Sequence, residues 1–215
     1  MNRNNKTVNG VILGGIEIGL LFMISTLFRF VYNLNDIPII TFYWLSITIL
    51  TGVWECSYIY NYDKIISLAN RYIEDKKHVW TTHYNLRYLR PDRFAQIFYA
   101  EYAAYADHEY KMNNYDIWSR IVESTHAIFC SVFVLLSFLI HSKYSTLLAV
   151  AMGGQLMNSI LYISRYSIDL SDEDNVNYIT DDFPAGKYLS KRPFMYVNLI
   201  WLLMPSYIII QQLLT

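Results

Sequence analysis

Ionisable side chains inside otherwise apolar runs are the residues of this 215-residue chain best placed to do chemistry. A charge at the middle of a membrane helix costs about 3 kcal/mol on insertion scales, so each such residue needs a reason. Glu123 and His126 stand three residues apart and share one helix face, where they could exchange a proton as general acid and base or form a structural ion pair. Glu55 shares a face with Thr51, one turn earlier. Glu17 has no partner within a turn and could either hold a neighbouring helix or act chemically. Further along, Gln155, Ser159 and Tyr162 follow at i, i+4 and i+7, and Asn198, Trp201 and Pro205 at i, i+3 and i+7. Such stripes on apolar helices predict a mostly apolar pocket with a few convergent polar groups. The adjacent Gly153 and Gly154 predict close helix approach on the same segment.

The elements that must position these groups are five apolar stretches: 8–28, 37–60, 121–140, 144–163 and 194–214. Each has about the 20 residues that a helix needs to cross roughly 30 Å of hydrocarbon. The composition agrees, at 54% hydrophobic and only 16% charged against about 25% in soluble domains. The fold class expected is an all-α membrane protein, a five-transmembrane-helix bundle. Residues 1–62 carry the first two spans, 63–117 a polar amphipathic region and 118–215 the last three spans, all in one domain. The first stretch follows Arg3 and Lys6 as a signal peptide would, but its apolar length exceeds that of a signal core and no A-x-A site follows. It is expected to stay as a helix.

All Lys and Arg residues except Arg29 and Lys143 fall on one side of such a bundle, which predicts that the N-terminus and both long loops are cytoplasmic. The net charge of -1, with no basic stripe, argues against nucleic acid as a partner. Cys56 and Cys130 lie in apolar runs without CxxC or HxxxH spacing, so both are expected as small buried hydrophobes rather than disulfide or zinc ligands. Between Asp63 and Arg120, helical periodicity occurs in DKIISLANRYIEDKK and in FAQIFYAEYAAYADHEY. The first places Ile65, Ile66, Leu68, Ala69 and Tyr72 together, as a helix lying against headgroups would, with a cytosolic helical hairpin as the alternative. The acidic segment at 171–182 lacks EF-hand spacing and reads as a solvated turn.

The chain from Glu101 onward resembles the emopamil-binding protein family, the sterol Δ8-Δ7 isomerases and their EXPERA-domain relatives. The matching pieces, in order, are EY at Glu101-Tyr102, D-x-x-Y from Asp107 to Tyr110, E-x-T from Glu123 to Thr125, GQ-x(5)-LY from Gly154 to Tyr162, and N-x-x-W-x-x-x-P from Asn198 to Pro205. A weaker match surrounds Trp54-Glu55. The resemblance implies a five-helix bundle with an intramembrane sterol-sized cavity, in the endoplasmic reticulum. It implies protonation of a C8=C9 alkene, a cation at C8 and loss of a C7 proton, with no redox cofactor and no metal. Glu123 and Glu55 would be the third-span and second-span carboxylates, Trp201 the ring that stabilises the cation, and Asn198 a group that holds the constellation. Thr51, Thr125, Gln155, Ser159 and Tyr162 would contact substrate.

The isomerases carry a histidine one turn before the second-span Glu, and this sequence has Thr51 there. His126, where the isomerase pattern has a Thr, is the expected substitute. The stretch from Glu55 to Glu101 is also longer than the isomerases' by about twenty residues. These departures suit an altered substrate, or a non-catalytic EXPERA-type protein that binds sterols or amphiphiles or chaperones another membrane protein. The expected partners are a sterol or related lipid and the membrane lipids, with homodimerisation open.

Overall fold

The computed structural model describes residues 7–107, 110, 117–168 and 193–214, without the side chains of 117–123, 165–168 and 193–195. The 171–182 segment and the Glu123 side chain therefore lie outside the described residues. The architecture is helical: α1 (Gly10–Val31), α2 (Ile39–Tyr60), α3 (Tyr62–Glu74), α4 (Pro91–Glu101), α5 (Ile117–Leu139), α6 (Tyr144–Ile168) and α7 (Pro193–Leu214). Among the described residues four segments are long and apolar enough to span a bilayer: Gly10–Val31, Ile39–Tyr60, His141–Ser164 and Tyr196–Leu214. They mark an integral membrane protein. The described apolar part of α5, Ser124–Leu139, is shorter.

The helix ends follow from local chemistry. Asn9 caps α1, its side chain accepting from the Val11 N–H at 2.8 Å. At the other end Asn33 adopts φ 51°, and Leu34 N–H reaches Arg29 O at 3.0 Å while Asn33 N–H reaches Phe30 O at 3.3 Å. That pair of bonds is a Schellman stop, and asparagine tolerates its left-handed residue. The same motif ends α3 at Lys76, also at φ 51°, with Lys77 N–H on Tyr72 O and Lys76 N–H on Ile73 O. Pro91 opens α4, where its missing N–H costs nothing. After Glu101 this helix widens into a π-turn over Tyr102–Ala106 and stops at extended Asp107.

One small non-helical element fixes the polar region to the first span. Thr7–Asn9 (β1) pairs antiparallel with His83–Asn85 (β2), in the register Thr7↔Asn85, Val8↔Tyr84 and Asn9↔His83. Val8, expected within the first span, is thus in a strand. Gly10 N–H donates to Thr82 O at 3.1 Å, and a Cβ at Gly10 would stand 2.1 Å from Val79 O. Only glycine allows the start of α1 to lie so close to the 76–85 strap.

The polar region corrects one expectation. Ile65, Ala69 and Tyr72 of α3 turn inward and pack on α4, in a core with Leu13, Tyr58, Phe94, Ala95 and Ile97. The apolar stripe therefore covers protein rather than headgroups, and α3 and α4 pack together on the first two spans. Tyr72 and Tyr84 hydroxyls meet at 2.6 Å, and burial pushes both pKa values up, so each stays neutral in this contact. Ser57 of α2 donates to the Asp92 carbonyl, which docks this hairpin on the second span.

A second core joins the other spans, with Phe42, Leu45, Val134, Phe138, Leu148, Met152 and Ile208 buried together. Two further expectations change here. Close helix approach falls at Gly52, where a Cβ would lie 2.2 Å from Ser131 Oγ, whereas a Cβ at Gly153 would meet open space and one at Gly154 only ordinary contacts with Cys130 and Phe129. Small residues permit contact, but the facing helix decides where it happens. Cys130 is buried as expected, yet Cys56 is exposed on α2, because the second span turns that face away from its neighbours. Both thiols are free.

Candidate functional site

A cavity of about 780 Å³ opens between α2, α4, α5, α6 and α7, with the 76–85 strap along one wall. That size lies within the range of roughly 300–1,000 Å³ common for small-molecule sites. Glu55 and Thr51 line it from α2, His126 from α5, Gln155, Ser159 and Tyr162 from α6, and Asn198 and Trp201 from α7. Thr125, by contrast, is exposed on α5 and lies outside the lining, because it is next to His126 and so turned about 100° around the helix.

Each group is held by specific partners. Glu55 is buried and accepts a hydrogen bond from the Tyr99 hydroxyl of α4. The Thr51 hydroxyl donates to Ile47 O at 2.7 Å, so its proton is committed to its own helix. His126 Nε2 lies 3.1 Å from Asn158 Nδ2 on α6. Gln155 accepts from the Trp44 indole N–H at 2.9 Å and donates to Thr48 Oγ1 at 3.3 Å. Tyr162 is 2.5 Å from the Tyr102 hydroxyl and donates to Asp107 Oδ2 at 3.0 Å, and Asp107 is fully buried. Trp201 packs its ring on Trp44, centroids 4.6 Å apart.

The spacing of Trp201 and Pro205 has a direct structural consequence. Proline has no N–H, so the carbonyl four residues earlier, that of Trp201, loses its helical donor. Ser159 Oγ lies 3.0 Å from that carbonyl and 2.9 Å from Gln155 O, sharing one proton between them. In hydrocarbon an orphaned carbonyl is expensive. Ser159→Ala is expected to lower stability by about 1–2 kcal/mol. Thermal unfolding of the detergent-solubilised protein checks this, and a melt superimposable on wild type would place the carbonyl's donor elsewhere.

Sequence reasoning missed the contribution of the polar region. His78 Nδ1 lies 2.7 Å from Glu101 Oε1, and Glu101 Oε2 accepts the Val79 N–H at 2.9 Å. Both residues line the cavity, as do Trp54, Trp80 and Tyr105. Glu101 had a signal, being the one charge in FAQIFYAEYAAYA, where a buried partner would be expected. His78 had none, since only the turn at Lys76 brings it to α4. Glu17 sits apart from the lining, buried against α2, where its Oε1 accepts from the Trp54 indole at 3.1 Å. Among the described residues no cluster of three or more His, Cys, Asp or Glu could hold a metal ion.

Compared with known proteins, the chain matches no protein-family model, no curated protein and no solved structure.

Proposed function

We propose that this chain is a membrane-embedded sterol isomerase of the Δ8-Δ7 type, in which five helices surround a sterol-sized cavity. The fifth span in that reading is α5, which packs between α2 and α6. One observation carries the proposal: side chains singled out on four separate helices converge on one largely apolar cavity. In the reaction a proton adds at C9 of the C8=C9 alkene and leaves a cation at C8. The C7–H electron pair then forms the C7=C8 bond, and that proton passes to a base, so atoms and charge balance without a cofactor. Glu55 and Glu123 are assigned the proton transfers, with His126 as an additional donor. Trp201 offers a π-face to the cation, an attraction that strengthens where water is excluded. Asn198 orients the constellation. The charge distribution supports a cytoplasmic N-terminus and polar region, and the endoplasmic reticulum follows from the resemblance alone.

A non-catalytic lipid-binding role is the second reading. It is favoured by Thr51, whose hydroxyl is occupied by Ile47 O and provides no acid where the isomerases have one. Expression in a fungal strain lacking its own Δ8-Δ7 isomerase, followed by sterol profiling, separates the two. Conversion of Δ8- to Δ7-sterols is expected, and more conversion by Thr51→His. Normal amounts of membrane protein with unconverted Δ8-sterol would leave the binding reading.

A further inference from the structure

We propose that the His78–Glu101 pair is the hydroxyl-recognition site of the cavity, which selects lipids that carry a hydrogen-bond donor and rejects anionic headgroups. This inference rests on the lipid-cavity reading above and specifies the polar end of the ligand. Three observations carry it. The first is charge. Glu55 and Glu101 both line the cavity, and among the described lining residues there is no Lys or Arg. Phosphate, sulfate and carboxylate headgroups would meet two acidic side chains in a low dielectric with no Lys or Arg to offset them.

The second observation is that the carboxylates are already engaged. Tyr99 donates to Glu55, while His78 and the Val79 N–H occupy the two oxygens of Glu101. Each oxygen of Glu101 thus already holds one donor, which fixes His78, the strap backbone and α4 as one unit. The third is the ring itself. Tyr105 lies against His78 with centroids 4.1 Å apart and ring planes tilted by 34°, and the Tyr105 hydroxyl is tied to Tyr72 O at 2.7 Å and Lys77 O at 3.0 Å. The imidazole is thus oriented from its face by Tyr105 and from its edge by Glu101. In the tautomer whose Nδ1–H donates to Glu101, Nε2 is the acceptor that the ring offers to a ligand. Its side chain keeps 49% of its surface exposed and lines the cavity, within reach of a ligand there. An acceptor in such a place selects an O–H and disfavours analogues without one.

The test uses the full chain in lipid nanodiscs at pH 7.5 and energy transfer from the cavity tryptophans to dehydroergosterol, a fluorescent sterol with a 3-hydroxyl. Its 3-methyl ether and its 3-sulfate are the comparison probes. The wild type is expected to bind the alcohol about ten-fold more tightly than the ether, a difference of about 1.4 kcal/mol, and to show no saturable transfer with the sulfate. His78→Leu is expected to bind alcohol and ether within about two-fold of each other, because it removes the acceptor. His78→Asn, which keeps a polar group against Glu101, controls for loss of the strap and is expected to retain part of the preference. Wild type that binds the alcohol but does not prefer it to the ether, or His78→Leu that keeps the preference, would overturn the inference and leave the cavity reading intact. Saturable binding of the sulfate would also overturn it. Wild type that binds none of the three would remove the sterol reading and this inference together.

Discussion

Under the isomerase proposal, Glu55→Gln is expected to reduce Δ8- to Δ7-sterol conversion by about 10²-fold or more, the usual contribution of a positioned acid or base, with the protein still present in the membrane. Glutamine is the informative replacement because it retains shape and an oxygen that can accept from Tyr99. The α2–α4 contact therefore persists, and only the ability to take up or release a proton is lost. Tyr99→Phe tests the opposite change. It keeps the carboxyl but removes the buried Tyr99 donor, at a cost of about 1–3 kcal/mol. Turnover is expected to fall less in Tyr99→Phe than in Glu55→Gln, while the melting temperature falls more. Sterol profiling beside thermal unfolding reads both. Glu55→Gln with wild-type turnover would remove the second span from the chemistry.

The membrane helices were legible in the sequence because apolar length is a local property. The stretch 37–60 became Ile39–Tyr60, and 194–214 became Pro193–Leu214. Hydropathy reports transfer out of water, and it needs no knowledge of neighbours. What it does not report is the partner of each face. The stripe on α3 has the same periodicity whether it meets headgroups or another helix, so Tyr72 and Ala69 could not be assigned to α4 from spacing. Likewise a glycine pair is a permission for close packing. The contact fell at Gly52, where Ser131 happened to face it.

The site was legible wherever polar residues repeated on one helix face. Gln155, Ser159 and Tyr162 share a face by helix geometry alone, and all three line the cavity. Thr125 was carried by the resemblance and not by periodicity, and it is the residue that faces away. His78 shows the other limit. Its contact with Glu101 spans 23 residues and depends on a left-handed turn at Lys76 and a strand pairing with Thr7–Asn9. None of these features leaves a mark near His78 in the sequence. The polar stretch between Glu55 and Glu101 is what delivers this histidine to the cavity wall.

Gly52→Leu is expected to be among the most damaging single changes in the bundle, costing about 3 kcal/mol or more, at the upper end for overpacking. A Cβ at this position would stand 2.2 Å from Ser131 Oγ, 2.8 Å from Ser131 Cβ and 3.2 Å from Ala127 O. Ser131 cannot simply rotate away, because its hydroxyl lies 2.7 Å from both Thr48 O and Ala127 O across the same seam. Relief therefore requires α2 and α5 to separate. Thr48, Thr51 and Glu55, all cavity residues, move with α2. A displacement of about 1 Å is enough to cost 10²-fold in a reaction that depends on position. Stability and turnover should consequently fall together, unlike the pattern in Glu55→Gln. Gly52→Ala is the milder probe, and pairing it with Ser131→Gly removes the atoms it would strike. In a double-mutant cycle the pair should recover most of the loss, since residues in contact are not additive. Gly153→Ala, with nothing within 4 Å of its new methyl, should melt as wild type does. Equal losses at Gly52 and Gly153 would mean that helix flexibility, rather than the α2–α5 approach, sets the requirement for glycine.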